Sequence, residues 1–197
     1  MFHFLKDTRF DYGDLTFNPP QEDYLGFATV TPPIPGTVVS MQVRSPTTRK
    51  FDADYVIANR GILCSHDLKR ILEQLDTGIL FYKAQVIWRD GKIIEKEYFL
   101  MHISEHRDCL SYESSRFKDR EAFIASGEKD VDVLTHFDFI DLDKNKIGNA
   151  RCFYISNSPF PYMPVVSNDI ATKLLLMRLK GVSVLPVSEY VWNEFSG

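Results

Sequence analysis

The sequence predicts an α+β fold of mostly antiparallel sheets with two capped helices packed on them. Three observations point there. β-rich runs are joined by turns more often than by helical crossovers. Two stretches, roughly 100 residues apart, each open with a serine, carry apolar residues at helical spacing and stop at a glycine. An apolar share of 44% over 197 residues is enough for a core.

The first sixty residues read as an irregular, proline-punctuated arm. "NPP" and "TPPIPG" break it, and Val38 to Val43 is its clearest short strand. Residues 1–60 are therefore expected to wrap or edge an α+β region of residues 61–197, within one compact domain. Met1 to Asp14 has no long apolar core and is expected to be neither a signal peptide nor an anchor. No later run approaches the roughly 20 apolar residues of a membrane span.

Order improves at "GILCSHDLKRILEQLDTGILFYKAQVIW". Ser65 can accept from an unpaired N–H of the first helical turn. Asp67 suits the positive end of the helix dipole. Leu68, Ile71, Leu72 and Leu75 form one apolar stripe, and Gly78 supplies the left-handed stop. A strand is predicted from Ile79 to about Trp88, then a tight turn with positive φ at both Asp90 and Gly91, then a return strand from Ile93 to about Ile103.

Beyond it, "SYESSRFKDREAFIASG" reads as a loop and short helix, and "VDVLTHFDFID" as a strand. "LDKNKIGN" is expected to turn it into a returning strand "ARCFYIS", followed by the proline-stiffened loop "NSPFPYMP". "VSNDIATKLLLMRLKGVSVLPV" then repeats the earlier helix unit: Ser167 matches Ser65, Asp169 matches Asp67, Ile170 matches Leu68, Leu174 matches Leu72, and Gly181 matches Gly78 after one inserted residue. Two readings stay open, a common local phrase or two related halves. The second helix also carries Leu175, Leu176 and Leu179, so it is either deeply buried or covered by a partner.

Several motifs invite chemical readings. His102, Glu105 and His106 spell H-x-x-E-H, an inverted zinc-protease signature. That signature needs a helix, where residues four apart share a face. On the extended segment expected here the two imidazoles lie about 13 Å apart, too far to share an ion. Asp141, Asp143 and Asn145 have the spacing of a calcium loop, but Lys146 and Cys152 stand where that loop needs glycine and glutamate. No phosphate loop, dinucleotide fingerprint or nucleophile elbow is present in the sequence. No catalytic residue, cofactor or metal is expected.

Three cysteines, an odd number without a C-x-x-C pair, suit reduced thiols in a cytoplasm. A formal charge of −4 disfavours free nucleic acid as a partner and favours a basic protein.

Four stretches in series, "CSHDLKRILEQLDTGILF", "HRDCLSYESS", "DFIDLDKNKIGNARCFYIS" and "VVSNDIATKLLLMRLKGVSVLPV", resemble the bacterial polymorphic-toxin immunity proteins of family eleven, or a sibling immunity family. The resemblance covers roughly Arg60 to Pro186 and rests on the order of the pieces. It implies a small cytoplasmic protein, not an enzyme, that binds a cognate secreted toxin stoichiometrically and blocks it. Nucleases are among such toxins. It carries over no catalytic residue.

On that expectation, partner contacts fall in two places. Phe160, Tyr162 and Met163 sit on a proline-stiffened loop that could supply anchors, or could cap the core. Glu128, Asp130 and Asp132, then Asp138, Asp141 and Asp143, form an acid-rich stretch that would steer the protein to a basic groove. Two rivals remain at this point. One is a hydrolase with a spatially assembled, metal-dependent site near His102, Glu105, His106 and Asp108. The other is an adaptor that self-associates through the leucine-rich helix. Oligomeric state is open, and neither nucleic acid nor membrane is expected as a direct partner.

Overall fold

The computed structural model describes residues 1–8, 15–17, 31–44, 48, 50–58, 61–127, 134, 136–160 and 163–193. The architecture is α+β, with mostly antiparallel sheets and short helices.

The better-patterned half of the sequence builds a first unit. β4 (Tyr55–Ala58) turns into β5 (Gly61–Ser65), which feeds α1 (His66–Gln74). Ser65 is the N-cap, its Oγ accepting from the Leu68 N–H at 3.3 Å, while Leu68, Ile71 and Leu72 are buried beneath the helix. Gly78, at φ +72°, redirects the chain into β6 (Leu80–Ile87). β7 (Tyr98–His102) then returns between β6 and β5, antiparallel to both. β5 and β6 are thus parallel strands joined by a helix, with an antiparallel strand inserted between them: a split βαβ unit.

Two details of this hairpin differ from the sequence reading. Only Gly91 of the Asp90-Gly91 pair has positive φ, at +84°. Gly91 N–H donates to Trp88 C=O at 2.9 Å, and Trp88 N–H to Lys92 C=O at 2.7 Å. The connection is a three-residue loop, a type I turn followed by a left-handed glycine. The return strand also starts late. Ile93 makes one isolated bridge to Ile87. The chain then swings inward so that Lys96 Nζ reaches Asp52 C=O, Ala53 C=O and Asp54 Oδ1.

The arm expected at residues 1–60 is more integrated than its prolines suggest. β3 (Val39–Val43) is an inner strand, flanked by β2 (Leu15–Phe17) and, in parallel, by β6. The six-stranded sheet runs β2-β3-β6-β7-β5-β4.

A second unit repeats the first. β11 (Cys152–Ile155) pairs with β12 (Val165–Ser167), which feeds α4 (Asn168–Leu176); Gly181, at φ +83°, leads into β13 (Val182–Pro186). The strand inserted between β12 and β13 is β1 (Phe2–Asp7), antiparallel to both. A strand from the start of the sequence therefore fills the place that β7 fills in the first unit. The registers correspond as well as the topology. Ser65 N–H donates to Asp54 C=O and Ser167 N–H to Arg151 C=O, at 2.9 and 2.8 Å. Ser65 lies opposite Tyr98, and Ser167 opposite Phe2. β8 (His106–Arg107) adds in parallel to β11, giving the order β13-β1-β12-β11-β8.

A small third sheet, β14-β10-β9, holds β9 (Arg116–Phe117), β10 (His136–Phe139) and β14 (Trp192–Asn193). The helix α2 (Arg120–Ser126) follows β9. The predicted hairpin of β10 with β11 does not form, because the two strands belong to different sheets. The segment between them coils into one helical turn, α3 (Lys144–Ile147), capped by Asp143 through Asn145 N–H at 2.9 Å. That cap is the local use of the calcium-like spacing.

Among the described residues, three apolar cores result. One lies within the six-stranded sheet around Met41, Leu63 and Tyr98. The second joins both units: Leu68, Ile71 and Leu72 of α1 with Ile170, Ala171 and Leu174 of α4. The third lies on the far face of the second unit's sheet, since Phe4 and Val165 point into it while their neighbours Leu5 and Val166 point into the second core.

Candidate functional site

The paired histidines are separated by the fold. His102 closes β7 in one sheet and His106 opens β8 in another. The backbone between them is non-helical, as the sequence predicts. Glu105 pairs with Arg107 at 2.6 Å, and the His106 ring packs against Tyr154 at 5.3 Å. Burial holds the His106 imidazole below its ordinary value, against the opposing pull of Glu105. All three cysteines are free thiols and buried. Burial pushes the Cys152 thiol up to about 12 and Cys109 to about 11, which removes them from thiolate chemistry near neutrality.

A surface feature forms where two distant segments are pinned together. Asp143 N–H donates to Cys109 C=O at 2.8 Å, and Ser111 N–H to Asp141 C=O at 3.0 Å. The Ser115 hydroxyl accepts from Asp141 N–H at 2.9 Å, and Leu110 bridges Leu142. These bonds fix the backbone of "DCLSYES" against "DLD", and this pinned backbone, an acidic ridge in its composition, carries Asp108, Glu113, Asp141 and Asp143. Asp108 and Glu113 are exposed; Asp141 and Asp143 are half-buried. Tyr112, in the same pinned segment, donates its hydroxyl to Asn157 C=O at 2.6 Å. Burial, and then the Asp108 charge, push the Tyr112 phenol up to about 12.

The expected partner residues distribute unevenly over this geometry. Asp138 is exposed and pairs with His136 at 3.2 Å. Asp141 turns its carboxylate to the Leu142 N–H, and Asp143 caps α3, so both have local structural work. Phe160 is 2% exposed and lies inside the third core against Phe4, Phe137 and Tyr190, so its ring presents no surface to a partner in this structure. Met163 is half-buried against the same core. Tyr162, Glu128, Asp130 and Asp132 lie outside the described residues. Asp108 and Glu113 were not expected as part of an acid surface. In the sequence Asp108 stands out only beside His102, Glu105 and His106, and both residues fall in the "HRDCLSYESS" stretch.

The model of the immunity protein family Imm11 matches residues 18–189. The chain belongs to the Imm11 immunity protein family. The match takes in the first split unit, the acidic ridge and the second unit from β11 to β13 of this Imm11 protein, while β1 of that second unit precedes it. Comparison with curated proteins returns no match. Among the described residues, no helix of this Imm11 protein is long and apolar enough to cross a membrane.

Proposed function

We propose that this Imm11 protein acts in the bacterial cytoplasm, where it binds a cognate secreted toxin one to one and neutralises it by covering the toxin's active site. The contact is the acidic ridge of Asp108, Glu113, Asp141 and Asp143, together with Asp138 and Met163. One observation carries this reading. The backbone that carries the ridge is held by main-chain hydrogen bonds between segments some thirty residues apart, so the main chain beneath its carboxylates is set before a partner arrives. A pre-set main chain lowers the ordering cost of binding, and the acidic charge draws in a basic groove such as that of a nuclease. No chemical step is required of the protein.

The test uses Asp108 and Asp138, because reversal at Asp141 or Asp143 would also disturb the pinned turn and the α3 cap. D108K/D138K should keep the wild-type melting temperature and associate with the toxin about tenfold more slowly at low salt, the difference shrinking as salt rises. Association rates equal to wild type at every ionic strength would remove the ridge from the interface.

A further inference from the structure

The two units let one helix serve as an internal control for the other. α1 and α4 each span nine residues, follow a capping serine and bury matching positions, Leu68 and Leu72 in one, Ile170 and Leu174 in the other. Their outer faces differ. α1 carries Glu73 and Gln74, with Glu73 paired to Lys69 at 2.6 Å. The equivalent residues of α4 are Leu175 and Leu176, which are 63% and 73% exposed, followed by Met177 at 41%. The same fold position therefore tolerates a polar face, and core packing does not explain the apolar one.

The rim of this patch differs in the same way. Lys173 and Arg178 are exposed and stand in no ion pair with the described residues, where α1 has the buried Ile71 and the exposed Asp76. Asp76 and Arg178 both occupy the left-handed region just past their helices, at φ +47° and +50°. Aspartate enters that region readily. Arginine there is uncommon and costs of order 1 kcal/mol.

We propose that the C-terminal end of α4, comprising Lys173, Leu175, Leu176, Met177 and Arg178, is a docking surface for an apolar segment of the toxin polypeptide flanked by carboxylates. The proposal rests on the toxin-binding reading above. Charge selects this occupant. A second copy meeting α4 face to face would set Lys173 and Arg178 against their own kind, whereas a segment flanked by Asp or Glu neutralises both while covering the leucines. α4 packs on the face of its sheet opposite the third core and the ridge built over it. The segment is therefore a different part of the toxin from the groove that the ridge meets.

The experiment installs α1's own residues at the two leucines and, separately, reverses the two flanking cations. L175E/L176Q and, separately, K173E/R178E are titrated calorimetrically against the purified toxin encoded beside the gene. Both should keep the wild-type melting temperature and bind about tenfold more weakly or worse. The K173E/R178E deficit should shrink at high salt. Wild-type affinity in both variants overturns the docking surface and leaves the toxin-binding reading standing. Failure of the unaltered protein to bind the toxin overturns both. Light scattering that shows a dimer in the wild type and a monomer in L175E/L176Q assigns the patch to a second copy and overturns the proposal. So does flotation of the wild type, but not the variant, with vesicles of phosphatidylcholine and phosphatidylglycerol.

Discussion

Asp54 and Arg151 hold equivalent positions in the two units and do the same task with opposite charge. Each stands one residue before the outer strand of its unit and reaches the turn that follows the other unit's helix. Asp54 Oδ2 accepts the Lys180 N–H at 2.7 Å, beyond α4. The Arg151 guanidinium donates to the Leu75 carbonyl at the end of α1, and to Asp169. The bonds are reciprocal, so the units are fastened at two corners and not only through their shared core. Burial pushes the Asp54 carboxyl up, but hydrogen bonds from Lys96 and the Lys180 N–H outweigh it and hold the group below its ordinary value. Asp54→Ala strands those donors and should cost about 1–3 kcal/mol. Urea denaturation measures this, and a change within error of zero would mean the corner bears no load.

The two glycines that lie between each helix and the strand after it provide a matched pair. A Cβ at Gly78 meets nothing within 4 Å, whereas at Gly181 it would lie 2.6 Å from the Tyr55 carbonyl oxygen. Both have positive φ. Gly78→Ala should therefore cost about 1–2 kcal/mol of backbone strain alone. Gly181→Ala adds a clash with main chain that cannot rotate away, for a total of about 2–5 kcal/mol. Equal losses in thermal melts would show that the second turn can relax.

The serines show how far the sequence could be read. Both N-cap positions, both helices and the strands after them were legible, because each is specified within a few residues by spacing and cap chemistry; the left-handed stops are not the expected Gly78 and Gly181 but Asp76 and Arg178, directly after the helix caps. The two caps are nevertheless not alike. Ser65 accepts from Leu68 N–H, while Ser167 turns its hydroxyl to Asp169 Oδ1 at 2.6 Å. Ser65→Ala should cost about 1 kcal/mol and Ser167→Ala about half that or less. What the sequence hid is non-local. Nothing inside "FHFLKD" announces that it pairs with residues 165–167 on one side and 182–186 on the other. Nothing inside "DFID" shows that its neighbours are β9 and β14 and not the strand that follows. The acidic ridge was half visible, as Asp138, Asp141 and Asp143. Asp108 and Glu113 join it only because their neighbours Cys109, Ser111 and Ser115 hydrogen-bond to a segment about thirty residues away.

Acid should weaken the fold before the carboxylates titrate. His3 sits in β1 at 8% exposure with its Nδ1 buried and unbonded, and His106 Nε2 is likewise buried without a partner. Burial, then the N-terminal ammonium, hold the His3 imidazole below its ordinary value despite Glu189; burial does the same at His106. Both are neutral in the folded protein where the unfolded chain already binds protons. Stability from this source is complete above the unfolded value of about 6.5 and falls as pH drops below it towards the lowered folded values. The urea midpoint should decline from pH 7 to pH 5, and less so in H3L/H106L. Identical pH profiles for the two proteins would exclude these imidazoles as the cause.

Phe160 decides between an anchor and a core residue, and its contacts favour the core. Its ring meets Phe4 at 5.8 Å, Phe137 at 5.3 Å and Tyr190 at 5.9 Å, joining β1, β10 and the C-terminal segment. Ser158 holds the loop beneath it, its hydroxyl accepting the Phe160 N–H at 3.2 Å and donating to Ile155 C=O at 2.9 Å. Phe160→Ala should therefore cost about 3–5 kcal/mol of stability, the range for a buried aromatic truncated where neighbours cannot fully close in. Toxin affinity should follow only through the fraction folded, so a titration under conditions where the variant remains folded should return nearly the wild-type Kd. A loss of affinity without a loss of stability would reverse the assignment. The ring would then have to leave the core on binding, and the proline-bounded loop that carries it would be a moving part of the interface.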